Sequence, residues 1–273
     1  MEKIQLQLFF QIIGIGSASG LLYHNDLLYV ISDNSTYFYE YKLETKTLTK
    51  IGLTENPTEN ISKIDKLDFE SITLYKDDLY IFGSGSTENR NIVISYSLKN
   101  KEVTKYNQSK NFRNLEKKFH LKPQQLNIEG VFYYNDFAYM FQRGNGLNNQ
   151  NGIFKIHNFG KQEPQFYEIT LPKINSIEAS FTDAILVGET IYFLAAVENT
   201  NSTYNDGEIL GTFLGKIKLD DFSLIETKLI SDKNKFEGIT LFRTTENEIE
   251  FLLCEDNDTH VLESTIYKLT LSK

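Results

Sequence analysis

The chain has 273 residues, 40% apolar and 24% charged, with a formal net charge of −9. That length can bury a substantial core, and the acidic balance excludes non-specific nucleic-acid binding, which needs clustered Lys and Arg. A single cysteine, Cys254, excludes an intramolecular disulfide framework and Cys-rich zinc sites; it points to a reducing, cytoplasmic setting, with a disulfide-free periplasmic protein as the alternative.

Aromatic residues reach 13%, all Tyr and Phe, a composition that favours strands. The N-terminal "KIQLQLFF" alternates as a strand does, and Gln5, Gln7 and Gln11 interrupt the apolar run a signal peptide would need. No segment approaches the roughly 18 apolar residues of a membrane span. A soluble protein without nucleic-acid or membrane partners, and a monomer, is expected.

Five segments then repeat. They are "ASGLLYHNDLLYVISD" from Ala18, "FESITLYKDDLYIFGS" from Phe69, "IEGVFYYNDFAYMFQR" from Ile128, "FTDAILVGETIYFLAA" from Phe181 and "FEGITLFRTTENEIEFLLCED" from Phe236. Their second residues, Ser19, Glu70, Glu129, Thr182 and Glu237, lie 51, 59, 53 and 55 residues apart. Such a period holds about four short strands, the size of one propeller blade. After the fifth copy one more strand fits, "STIYKLTLSK" at 264–273, and the N-terminal strand supplies the missing fourth. The sequence therefore predicts an all-β fold in which residues 1–273 form a single five-bladed β-propeller, its N-terminal strand closing the last blade. The densest basic stretch, "NFRNLEKKFHLK" at 111–122, reads as a solvated loop or a short helix at an edge.

In a propeller the repeat starts lie on the innermost strands, at one mouth of the central channel. Ser19, Glu70, Glu129, Thr182 and Glu237 then ring that mouth. Three converging carboxylates repel, so either their pKa values rise or a cation sits among them. Oxygen ligands without Cys or His suit a hard cation, and a loose ring suits Ca2+ better than Mg2+. The alternative is a set of glutamates bonded to strand-start amides around a water-filled channel. Gly20, Ser71, Gly130, Asp183 and Gly238 follow the ring residues, four of them small, as a crowded axis requires.

The loops after the second strands return to the same face and are polar. They carry Asp33, Arg90, Arg143, Asn145, Glu198, Asp206, Glu208, Asp256 and Asp258. Arg90 and Arg143 could grip a phosphate or carboxylate by bidentate contacts, with Asn145, Glu198 and Asp206 completing a small-molecule site. Asp33, Glu208 and Asp256 are the candidate catalytic bases. No Walker loop, nucleophile elbow or metal-type His spacing is present.

The order Ser, Glu, Glu, Thr, Glu at the strand starts resembles the calcium-activated nucleotidases of the apyrase type. That resemblance implies a five-bladed propeller with Ca2+ on its axis, held by Ser19, Glu70, Glu129, Thr182 and Glu237, with Thr182 in place of a Ser. "SDNS" at 32–35 falls where that family has an acidic turn; Asp33 matches one acid and Ser32 replaces the other. "DFESITLYKDDLYIFGSGSTENR", "NIEGVFYYNDFAYMFQRGNG" and "ENTNSTYNDGEILGT" look more closely like a family of uncharacterised bacterial propellers, over nearly the whole chain. Three functions are compatible with these features. One is a Ca2+-dependent hydrolase of phosphate esters or anhydrides at the channel mouth. The second is a glycan-binding or glycan-cleaving propeller, which to cleave needs two carboxyls roughly 5–9.5 Å apart. The third is a non-enzymatic propeller in which the ion only stiffens the ring and the loops bind a small molecule, glycan or protein.

Overall fold

In the computed structural model, which describes residues 3–122, 124–144, 150–158, 160–199, 207–256 and 261–273, the repeat becomes five four-stranded antiparallel sheets. β1 (Ile4–Ile13) precedes blade 1, which is β2 (Ala18–His24), β3 (Leu27–Ser32), β4 (Tyr37–Lys42) and β5 (Thr47–Gly52). Blade 2 is β6 (Phe69–Tyr75), β7 (Asp78–Gly83), β8 (Ile92–Ser97) and β9 (Val103–Asn107), followed by helix α1 (Ser109–Lys118). Blade 3 is β10 (Ile128–Tyr134), β11 (Phe137–Gln142), β12 (Gly152–His157) and β13 (Gln165–Glu168). A small hairpin, β14 (Lys173–Ile174) and β15 (Ile177–Glu178), leads into blade 4: β16 (Ser180–Val187), β17 (Thr190–Asn199), β18 (Glu208–Lys218) and β19 (Leu224–Ser231). Blade 5 holds β20 (Phe236–Thr244), β21 (Glu248–Glu255) and β22 (Glu263–Ser272). Its outer strand is β1, paired antiparallel with β22 from Ile4 opposite Leu271 to Ile13 opposite Glu263. The inner strands touch in the order β2, β6, β10, β16, β20 and back to β2. The fold is a five-bladed β-propeller closed by its N-terminal strand, as the period predicts.

The hairpins follow their turn residues. Asn25–Asp26 and Asn135–Asp136 both have positive φ at each residue, the two-residue turn that matches strand twist and that Asn and Asp tolerate best. Between blades the sheets pack face to face. Phe38, Phe69, Ile81 and Ile94 fill the layer between blades 1 and 2; Phe141, Phe181, Phe193 and Ile217 fill that between blades 3 and 4. Rings there meet edge-on, as Phe141 and Phe181 do at 5.1 Å, so the high Phe and Tyr content is the filling of five such layers.

One irregularity recurs in every blade. The first hairpin register slips between Ala18 and Gly20, Phe69 and Ser71, Ile128 and Gly130, Phe181 and Asp183, and Phe236 and Gly238. The skipped residues are Ser19, Glu70, Glu129, Thr182 and Glu237. Each is the extra residue of a β-bulge, the device that re-aims one side chain out of strand alternation. The residue that follows meets the neighbouring blade. A Cβ on Gly130 would lie 2.7 Å from the Ala184 amide nitrogen, and one on Gly238 would lie 2.5 Å from Leu21. Where that residue is larger, it bonds across the junction. The Val131 N–H donates to Ser71 Oγ at 2.8 Å, and the Ile239 N–H donates to Asp183 Oδ2 at 2.8 Å. Asp183, the one departure from small residues there, is therefore a joint between blades 4 and 5.

Ser71→Ala leaves the buried Val131 N–H without its acceptor and is expected to cost about 1–3 kcal/mol of stability. Urea unfolding with an unchanged m-value measures it; an unchanged midpoint would show that the joint carries no load.

Candidate functional site

The five bulges bring their side chains to one channel mouth, but to different ends. Ser19 and Thr182 are fully buried, and their hydroxyls donate to the first-strand carbonyls of the next blade, Phe69 O and Phe236 O at 2.7 Å for the latter. The three glutamates enter a network of charges. Arg143, at the end of β11, reaches Glu129 at 3.2 Å and Glu198 of β17 at 2.6 Å. Lys235 reaches the same Glu198 at 3.0 Å and Glu237 at 2.7 Å. Glu129, Glu198, Lys235 and Glu237 are buried, and Arg143 is mostly so, its side chain 13% exposed.

The repulsion among glutamates is thus answered in part by the protein's own cations. Lys235 stands two residues before Glu237, as Asn127 stands before Glu129, and Asn127 Nδ2 donates to Glu129 Oε1 at 2.8 Å. The equivalent residue before Glu70 is another acid, Asp68. There the pattern inverts: Asp68, Glu70 and Asp33 offer carboxylate oxygens that all lie within 4.8 Å of one another. Lys66 pairs with Asp33 and, at 3.4 Å, with Asp68, and Arg90 reaches Asp68 at 2.7 Å. Glu70 has no ion pair among the described residues, and Asp33 Oδ1 is buried without a hydrogen-bond partner. Across the mouth, Asp33, Asp68, Glu70, Glu129, Glu198, Glu237 and Asp256 face Lys66, Arg90, Arg143 and Lys235.

The surplus of carboxylates appears in their titration. Burial, followed by the charges of Glu129, Asp68, Glu237 and Asp33, pushes the Glu70 carboxyl well above its ordinary range. Burial also works against Glu198, but Arg143 and Lys235 outweigh it and hold that group at about 2. One channel thus contains an acid held ionised and an acid driven toward its neutral form.

The loop candidates separate in the same way. Asp33, Arg90, Arg143, Glu198 and Asp256 converge on the charged mouth. Glu208 is exposed at the start of β18. Asn145, Asp206 and Asp258 lie outside the described residues. Arg90 and Arg143 differ from the expected open anion grip: Arg90 is held by Asp68, Ser86 Oγ and the Lys63 carbonyl, and Arg143 by two glutamates. A buried guanidinium beside buried carboxylates has no cheaper arrangement. Lys66, Asp68, Asn127 and Lys235 belong to the site without having been singled out in the sequence. Their signal was position: Asp68, Asn127 and Lys235 each stand two residues before a ring residue, just ahead of the inner strand.

A family model described as a family of unknown function (DUF6929) matches residues 14–271. No curated protein matches the chain. Among solved structures, the chain is similar to a GH43 β-1,3-galactosidase, with 10% identity and a TM-score of 0.56 over 96% of this chain and 60% of that one. It is also similar to an exo-1,5-α-L-arabinanase from a bovine ruminal metagenomic library, with 9% identity and a TM-score of 0.54 over 93% of each chain. A luciferin-regenerating enzyme has 9% identity and a TM-score of 0.51 over 98% and 95% of the two chains. At these identities the likeness concerns the fold alone.

Two predictions follow the charges. Lys235→Met strands Glu237 and leaves Glu198 to Arg143 alone; it is expected to destabilise the fold by about 3–5 kcal/mol, measured by chemical denaturation, and a near-neutral change would mean the network does not need it. The folded pKa of Glu198 is lowered, so its contribution is present above about 4.5 and lost as pH falls toward 2. Glu70 is raised, so its ionisation costs stability as pH climbs above 4.5. The stability advantage of Glu70→Gln over wild type should therefore grow with pH above 4.5; a flat difference contradicts the assignment.

Proposed function

Since the chain belongs to the DUF6929 family, of unknown function, we propose from the site itself that the channel mouth is a divalent-cation centre held by Asp33, Asp68 and Glu70. The observation that carries this reading is the cluster of three carboxylates within 4.8 Å, one of them without an ion pair and another with a buried, unpartnered oxygen. All ligands are oxygens, so Ca2+ is the ion of choice. This set shares only Glu70 with the ring of five. Glu129 and Glu237 are already balanced by Arg143 and Lys235, and the hydroxyls of Ser19 and Thr182 are committed to backbone carbonyls. In this reading Lys66 is the competitor that an ion must displace from Asp33 and Asp68.

A bound Ca2+ would supply Lewis acidity toward a phosphoryl oxygen, which suits a phosphate ester or anhydride as substrate. The chain's own groups then divide the work. Asp256 is the best-placed base: it belongs to the charged mouth, beside Lys235 and Glu237, and it is outside the three ion ligands. Glu198, held ionised, fixes Arg143 and Lys235 in place. A second reading, a binding propeller in which the ion only stiffens the ring, is favoured by one observation: both mouth arginines are occupied by carboxylates.

Thermal unfolding in EDTA and then in Ca2+ or Mg2+ tests the centre. Ca2+ at about 100 Kd is expected to add about 2.7 kcal/mol. Glu70→Gln should melt higher than wild type in EDTA and gain nothing from Ca2+. A wild type indifferent to both ions would sink the proposal. With the centre established, hydrolysis of p-nitrophenyl phosphate and nucleoside triphosphates, lost in Asp256→Asn, separates the enzyme from the binding reading. The carbohydrate-active neighbours add arabinan and galactan oligosaccharides to the panel.

A further inference from the structure

Blades 2 and 3 are not packed like the other pairs. Helix α1 is driven between them, with Phe112 and Leu115 buried among Phe82, Met140 and Phe154. Beside this wedge the blades part and leave a cleft of about 1050 Å³, at the upper end of the size that encloses a small organic ligand. Its floor is aromatic. Tyr133 stacks on Tyr75 at 4.5 Å and lies 5.7 Å from Tyr80, which fixes the rings as a platform; Phe82, Ala138 and Met140 continue the apolar surface.

The rim has the opposite chemistry from the channel mouth. The helix presents Asn111, Asn114, Lys117 and Lys118 to the cleft, and Lys110 and Arg113 add to its charge. This is the densest basic stretch of a chain whose net charge is −9. Lys118 is paired with Glu163; Lys117 is exposed and makes no ion pair among the described residues. A rigid tyrosine platform and an ammonium group lining one cleft favour a flat apolar body with an acidic end.

We propose that the cleft between blades 2 and 3 binds a small anionic aromatic molecule, its ring against Tyr80 and Tyr133 and its acid group at Lys117. The site is independent of the channel centre and stands whether or not that centre binds an ion.

The test is a fluorescence titration with 8-anilino-1-naphthalenesulfonate, an aromatic sulfonate, with N-phenyl-1-naphthylamine as its uncharged comparator. Circular dichroism confirms that each sample is folded. Wild type is expected to bind one equivalent saturably. Lys117→Glu should weaken the sulfonate by about three- to tenfold while leaving the comparator unchanged, and Ala138→Trp, which fills the floor, should abolish both. Absence of saturable binding overturns the proposal, as does binding indifferent to Ala138→Trp. Should that variant fail to fold, Lys117→Glu decides alone: equal effects on sulfonate and comparator, or no effect on either, overturn it.

Discussion

The molecule depends on one backbone irregularity used five times. A strand running along the axis of a propeller alternates its side chains between the two flanking blades, and neither direction points into the channel. The bulge at Ser19, Glu70, Glu129, Thr182 and Glu237 breaks that alternation for a single residue. Everything at the mouth follows from it, including the close approach at Gly130 and Gly238 and the cross-blade hydrogen bonds of Ser71 and Asp183. The pairing of β1 with β22 holds the ring shut and so keeps the five bulges facing one another.

Once the bulges face inward, charge is the next constraint. Buried carboxylates are tolerated only when paired or protonated, and the mouth uses both routes. On the side of blades 3, 4 and 5, Arg143 and Lys235 form an alternating chain with Glu129, Glu198 and Glu237 in which each cation bridges two acids. On the side of blades 1 and 2, Asp33 and Asp68 share Lys66 and Arg90, and Glu70 has no ion pair among the described residues. The division is not arbitrary. The position two residues before the ring residue is Lys235 in blade 5 and Asp68 in blade 2, so the same repeat position gives Glu237 a cation and Glu70 a further acid.

Much of the fold was legible in the sequence because a propeller writes its period into the chain. The spacing of "FES", "IEG" and "FEG" located the inner hairpins, and the single strand after the fifth copy implied closure by the N-terminus. The ring residues were legible for the same reason, as polar interruptions of apolar strands. Their partners were not. Lys235 and Asp68 look like ordinary strand-flanking charges, and nothing local tells that Arg143 will meet Glu198, a residue 55 positions away. The basic stretch at 111–122 reads in the sequence only as a loop or edge helix, because Phe112 and Leu115 gain their meaning from a gap between two sheets.

The uneven pairing of charge has a further consequence. Each acid of the chain on blades 3 to 5 is bridged by a cation, whereas Glu70 on blade 2 has no ion pair among the described residues, so the pairing and not the number of charges breaks the fivefold symmetry of the mouth. A symmetric ring would attract a polar molecule without orienting it about the channel axis. Here the carboxylate without an ion pair among the described residues, Glu70, marks one direction around that axis. Fivefold architecture thus yields a site with a single preferred azimuth.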